Sequence, residues 1–271
     1  MKIKNILNKK LVISAITFTM LFTGISILPT ASATTIYVPG DYPTIQAAVN
    51  AANPSGGDTI IVAAGTYNEM ISINKPLTLR GANWGIHPTV GVHPTETVGI
   101  RGPESILSHN NLYAISPSAD YITIDGFKFT GTGGRIIDTY SNANYFSLLN
   151  CIFDNPGDHG ATGNIQFGGG SHTDLLFGYN IFIDGGWHTF YAGGGPFDRM
   201  HIIGNKFNGY GEAIFWAATP LVDAIVEYNE FDGTYAGVPG DGGCYMNIGL
   251  GGNIKIKDKN ISIIDFQNTD D

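Results

Sequence analysis

Apolar residues recur two apart along most of this chain, in short runs that close on an aromatic. Ile122-Thr-Ile124-Asp-Gly-Phe127-Lys-Phe129 is answered by Phe146-Ser-Leu148-Leu-Asn-Cys151-Ile-Phe153 and by Leu175-Leu-Phe177-Gly-Tyr-Asn180-Ile-Phe182. Met200-His-Ile202-Ile-Gly-Asn205-Lys-Phe207 and Ala224-Ile-Val226-Glu-Tyr-Asn229-Glu-Phe231 follow. The closing phenylalanines are 24, 29, 25 and 24 residues apart, a period that signals a repeat architecture. Alternation at period two reads as strand, and no unit offers the i, i+3, i+4, i+7 pattern of a helical repeat. A coil of short strands cannot bury its own apolar face and stacks on its neighbours. Stacking at the strand spacing of about 4.8 Å places Asn180, Asn205 and Asn229 in one column, where side-chain amides bond up and down as in other Asn ladders. The pattern therefore predicts an all-β parallel β-helix of about eight coils.

One helix signal precedes the coils. In Tyr42-Pro43-Thr44-Ile45-Gln46-Ala-Ala48-Val49-Asn-Ala-Ala52, Thr44 is an N-cap and Ile45, Ala48, Val49 and Ala52 share a face. Such a helix predicts a cap over the otherwise open apolar end of the stack. Residues 34–252 form the helical domain: the cap and first coil span 34–81, an irregular Gly-, Pro- and His-rich excursion spans 82–120, and regular coils span 121–252. Residues 253–271 read as a lysine-bearing edge strand and an acidic tail, which makes the chain a short member of its kind or one lacking later coils.

Residues 1–33 combine basic Lys2, Lys4, Lys9 and Lys10, an apolar run and Ala31-Ser-Ala33, the layout of a secretory leader cleaved after Ala33. An uncleaved anchor is the alternative reading. The whole chain carries −9; the leader holds four lysines and no acid, so the remainder stands at −13. That balance disfavours nucleic acid and weighs against gripping a polyanion over a long surface, unless calcium or a local basic patch bridges the two. Cys151 takes the column position that is Asn in later coils, and with Cys244 it reads as a buried thiol in preference to a disulfide. His87 and His93 lack a Cys/His/Asp framework of metal-binding spacing and read as exposed loop residues.

The opening run of Ile36 to Gly81, with T-I-Q-x-A-V at 44–49, D-T-I-x-V at 58–62, G-T-Y-x-E at 65–69 and L-T-L-x-G at 77–81, resembles that of the pectin-lyase-like superfamily. The resemblance covers the opening; the later coils match as generic repeats. It implies a right-handed single-stranded parallel β-helix and carbohydrate as the ligand class, in an exported or cell-surface protein, without deciding between an enzyme and a surface module. The superfamily's catalytic signatures find no full match. Asp265-Phe-Gln267-Asn lacks the Q-D-T context of esterases, and Asp158-His159-Gly160 is a fragment of a hydrolase pattern. No R-x-P-x-x-R run of lyases occurs, and Asp154-Asn-Pro156-Gly-Asp158-His159 carries the D-P-H-D residue types of epimerases with two insertions.

Register supplies candidates of its own. Six positions after the closing phenylalanines stand Arg135, His159, His188 and Ala213, and five positions after them Gly134, Asp158, Trp187 and Glu212. Asp158, His159, His188 and Glu212 are the acid/base candidates, Arg135 a clamp for a substrate carboxylate, and Trp187 a platform for a sugar ring. The coil from Phe153 to Phe182 is five residues longer than its neighbours, and the alternative reading makes Asp158 and His159 turn residues of a protruding loop. A second column eight positions before the phenylalanines holds Tyr145, Asp174, Arg199 and Asp223, read first as a charge ladder between rungs, with Arg199 as a binding candidate. Two functions stay open. One is binding, with or without processing of lyase, epimerase or hydrolase type, of an acidic or envelope polysaccharide, calcium being the one cofactor considered. The other is a non-catalytic surface spacer.

Overall fold

The alternation resolves into three parallel sheets wound into a β-helix. The computed structural model describes residues 32–88, 100–110, 112–131, 135–139, 143–154, 163–183, 188–208, 213–232, 244–250, 255–256 and 261–264. The chain divides into Met1–Ser32 and Ala33–Asp271, and the architecture below belongs to the second unit. The leader lies outside the described residues, apart from its last two.

One coil shows the design. Ile122–Asp125 lies in sheet A, Phe127–Thr130 in sheet B and Arg135–Thr139 in sheet C. Ser147–Leu149, Ile152–Asp154 and Gly163–Phe167 repeat it on the next rung, paired parallel to the first three. Among the described residues sheet A has nine strands and sheet C ten, while sheet B contributes one strand per coil and has seven, close to the eight coils expected.

The helix cap forms as the sequence predicts. α1 spans Ile45–Ala51, and the Thr44 hydroxyl accepts from the Ala47 N–H at 3.2 Å. Glu69 takes the two N–H groups that the first turn leaves open, Ile45 and Gln46, at 3.0 Å each. Ile45, Ala48 and Val49 are fully buried against strands Thr35–Val38, Thr59–Val62 and Ile71–Ile73.

Two columns fill the interior. Phe129, Phe153, Phe182 and Phe207 stack rung on rung, with centroids 4.8, 4.6 and 5.1 Å apart. Beside them runs the asparagine ladder. Asn180 Nδ2 donates to Asn205 Oδ1 at 2.9 Å and Asn205 Nδ2 to Asn229 Oδ1 at 3.0 Å. The same oxygens accept the backbone N–H of the coil before, Asn180 N at 3.0 Å and Asn205 N at 2.9 Å. Cys151 begins the column, its N–H donating to Asn180 Oδ1 at 2.9 Å. It is buried without a disulfide, and burial pushes its thiol up to about 12. The Cys244 side chain lies outside the described residues.

Within 82–120 the structure is more regular than its composition suggests. Ser105–Ser108 and Tyr113–Pro117 are the sheet B and sheet C strands of the second coil, so the excursion narrows to 82–104. His109 is buried, and His87, expected to be exposed, is partly covered, its ring edge-on to Tyr179 at 4.2 Å. Trp84 stacks on Arg80 at 4.3 Å, while Arg101 grips Glu104 and the Asn150 carbonyl, so the excursion is pinned onto the corner between sheets A and B. His93 lies outside the described residues. Lys255–Ile256 and Ile261–Ile264 extend sheets A and C, two short strands where one edge strand was expected.

His172 gives the fold a pH dependence. It is buried between Phe197, stacked at 5.0 Å, and Phe167, edge-on at 5.1 Å. The Ala143 N–H approaches Nδ1 at 3.4 Å and the Gly168 carbonyl lies 3.3 Å from Nε2, the pairing of a neutral ring. Burial lowers its pKa below the ordinary value. The unfolded chain therefore takes up this proton first, near pH 6.5. Stability from this group is complete above that pH and falls as the pH drops toward the lower folded value. Thermal melts between pH 7.5 and 5 should show a falling midpoint that flattens in His172→Phe; an equal slope in the variant would assign the acid loss elsewhere.

Candidate functional site

Along sheet C the side chains turn alternately to the core and to the outer face, and one outer file collects polar ones. Ile115, Ile137, Ile165 and Phe190 are in register and buried in the core. The residues one step along point the other way: Ser72 pairs with Ser116, Asp138 with Gln166, and Gln166 with Tyr191. Tyr191 is in register with Trp216, and Trp216 with Asn247. Up to Tyr191, one outward file thus crosses successive coils at about 4.8 Å per rung.

Arg135 starts the strand that carries Asp138, and its guanidinium turns back onto that carboxylate, Nη1 to Oδ2 at 2.6 Å. Asp138 is fully buried although it faces away from the core. Its other oxygen, Oδ1, has no hydrogen-bond partner. Gln166 Oε1 on the next rung and Thr189 Oγ1 on the one after are likewise covered and without a partner. Buried polar atoms are ordinarily paired, because a missing bond costs about 1–3 kcal/mol. The three oxygens lie covered on consecutive rungs, beneath the surface of sheet C.

The residues singled out by register fall as follows. Arg135 and His188 do share a strand position: Gly163 pairs with His188, and Gly163 lies two residues before Ile165 just as Arg135 lies two before Ile137. Ala213 continues the column above His188. The rung between Arg135 and His188 is filled by Gly163, not His159, because the longer coil inserts its extra residues before this strand. Asp158, His159, Trp187 and Glu212 lie outside the described residues, as does the side chain of His188.

Arg199 stands elsewhere, at the turn from sheet C into sheet A. Tyr121, Tyr145, Asp174, Arg199 and Asp223 all hold positive φ there, between 50° and 59°. The conformation costs non-glycine residues about 1–2 kcal/mol each, and contacts between coils offset it. Tyr121 and Tyr145 stack at 4.4 Å with their planes 3° apart. Arg199 reaches Asp174 through two bonds of 2.8 Å and also bonds Asp198 and Thr173. That guanidinium holds the Asp174 carboxyl below the ordinary carboxylate range, and its own pKa is raised in return. Arg199 is a clamp between rungs. Glycine is needed in the stretch leading to that turn: at Gly195, φ is +71° and a Cβ would stand 1.2 Å from the Gly170 carbonyl oxygen.

Sequence counting missed Asp138, Gln166 and Tyr191. Their signal was the strand alternation of sheet C itself, counted from Ile137, Ile165 and Phe190 instead of from the phenylalanines of sheet B. Among the described residues no three His, Cys, Asp or Glu side chains gather as a metal site, and no helix is long and apolar enough to cross a membrane.

The chain is similar in structure to the pectin methylesterase from Aspergillus niger in its deglycosylated form, at 15% identity and a TM-score of 0.41. The alignment covers 87% of this chain and 81% of that one. No family model and no curated protein matches the sequence.

Proposed function

We propose that this chain is an exported β-helix protein that binds extracellular polysaccharide along the outer face of sheet C. The observation that carries the reading is the outward file of Ser72, Ser116, Asp138, Gln166 and Tyr191 on sheet C, in which Ser72 is exposed and Ser116, Gln166 and Tyr191 are partly exposed. Sugar hydroxyls supply donors at short, regular intervals, and Tyr and Trp rings accept the apolar face of a sugar. A polymer lying along the helix axis meets a polar or aromatic side chain on successive rungs. The leader read at residues 1–33 would deliver it outside the cell.

The described file holds one carboxylate, Asp138, while two-carboxylate glycosidase chemistry needs a second at about 5–9.5 Å. Binding is therefore the better-supported function. Processing would draw on His188 with Asp158, His159 or Glu212, and on Trp187 as a sugar platform.

The test is binding of the purified protein to a panel of neutral, amino and acidic polysaccharides, with reducing ends and unsaturated products followed in parallel. Tyr191→Ala and Gln166→Ala should each weaken binding about tenfold, equivalent to about 1.4 kcal/mol. Turnover abolished by His188→Ala would make the protein an enzyme. A folded protein that binds nothing in the panel would be the surface spacer.

A further inference from the structure

Two tyrosines on consecutive coils stand at the corner where sheet C turns into sheet A. Tyr121 is 60% exposed and Tyr145 42%. Their ring centroids lie 4.4 Å apart and their planes 3° from parallel, so carbons of the two rings meet at about 3.5–4.0 Å, the van der Waals optimum. The backbone fixes this arrangement. Both residues hold positive φ, 59° and 55°, so both side chains leave their turns in the same direction. The Tyr121 N–H donates to the Asn144 carbonyl at 3.0 Å, and the Tyr145 N–H to the Thr173 carbonyl at 2.9 Å. Asp120 Oδ1 accepts the backbone N–H and the side-chain amide of Asn144, each at 3.0 Å. A sugar platform needs a free ring face, and each of these rings covers a face of the other. What the pair turns to solvent is its rim, the phenol oxygens and the carbons ortho to them.

We propose that Tyr121 and Tyr145 form a site of oxidative cross-linking, at which a peroxide and a peroxidase join two coils through an intrachain dityrosine. The peroxidase removes an electron and a proton from each phenol. The two ring radicals pair through ortho carbons, one C–C bond forms, and the two ortho hydrogens pass as protons to the phenol oxygens. The peroxide O–O bond breaks as the electrons and protons removed reduce it to two waters, and the protein becomes two hydrogens lighter. Partial desolvation, the Tyr145 phenol and the Asp120 and Asp174 carboxylates raise the pKa of Tyr121, so its phenol enters the reaction protonated at neutral pH. The bond joins positions 24 residues apart in the chain and restricts the unfolded state as a disulfide does. Such a staple would serve a polysaccharide binder and a surface spacer alike.

The experiment treats dilute full protein with a haem peroxidase and limiting hydrogen peroxide, then separates the monomer and digests it with trypsin. Tyr121 and Tyr145 fall in different tryptic peptides, 102–128 and 136–199. The expected product is one species linking the two, two hydrogens lighter than their sum and carrying dityrosine fluorescence. Tyr121→Phe keeps a ring in the stack and should abolish that species. Tyr113→Phe, which removes the other tyrosine of the first peptide, should leave it in place. Far-UV circular dichroism checks that both variants are folded. The linked monomer should also unfold at higher urea than the untreated protein, a shift that the same treatment should not produce in Tyr121→Phe. A linked species that survives in Tyr121→Phe, dityrosine confined to dimers, or no dityrosine in a folded protein overturns the proposal. A linked monomer with an unshifted midpoint overturns the staple role.

Discussion

Asn205→Leu should lower the unfolding free energy by about 3–5 kcal/mol, although leucine is close to asparagine in size and more apolar. The reason is how many groups depend on one amide. Asn205 Oδ1 accepts both the backbone N–H and the Nδ2 of Asn180. Its Nδ2 donates to Asn229 Oδ1, at 3.0 Å, and to the Phe177 and Ile203 carbonyls at 2.8 and 3.1 Å. Leucine leaves the Asn180 N–H buried with no acceptor and strips a donor from Asn229, and an unmade buried bond costs more than a made one contributes. Urea unfolding followed by far-UV circular dichroism would measure the loss. A change below about 1 kcal/mol would mean that water enters the column and that the ladder is not a structural device.

Phe182→Ala should be comparable, at about 3–5 kcal/mol. Phe182 lies between Phe153 and Phe207, nearly parallel to both at 18° and 4°, and meets Phe190 edge-on at 5.6 Å. Truncation opens a cavity in the middle of the column, where rungs held by backbone hydrogen bonds above and below cannot close in. Phe182→Leu refills most of that volume and should recover more than half of the loss. If both variants cost the same, contacts of the ring itself, and not the cavity, would be the larger factor.

These two columns were legible in the sequence because the same residue type returns at the same offset. Asn180, Asn205 and Asn229 each stand two positions before a phenylalanine, and the turn between sheets A and B has constant length, so counting along the chain was equivalent to counting up the stack. The outer face of sheet C was less legible, for a physical reason. The connections from sheet B into sheet C differ in length, and nothing buried has to be preserved in them, so offsets from the phenylalanines drift. Gly163 takes the rung that a fixed offset assigned to His159. The polar file changes residue at every rung, from Asp138 to Gln166 to Tyr191, and so leaves no repeat to find. Arg135 was legible as a functional candidate but not in its role: its partner is Asp138, three residues on in its own strand. The 82–120 segment hid two strands because Ser105, Ser108 and Pro117 are poor strand formers in isolation, and Ile106 and Leu107 are adjacent apolar residues that make no alternation.

The asparagine ladder has a direction. Its amide-to-amide bonds run one way, from Asn180 Nδ2 to Asn205 Oδ1 and from Asn205 Nδ2 to Asn229 Oδ1, so the junctions between coils 180, 205 and 229 are the same joint. Removing the 25 residues from Ile183 to Phe207 would set Phe182 beneath Phe231 and Asn180 beneath Asn229, and would leave an interface of the same kind. The length of the outer face is therefore set in whole coils, and this architecture works as a ruler whose graduations can be added or taken away.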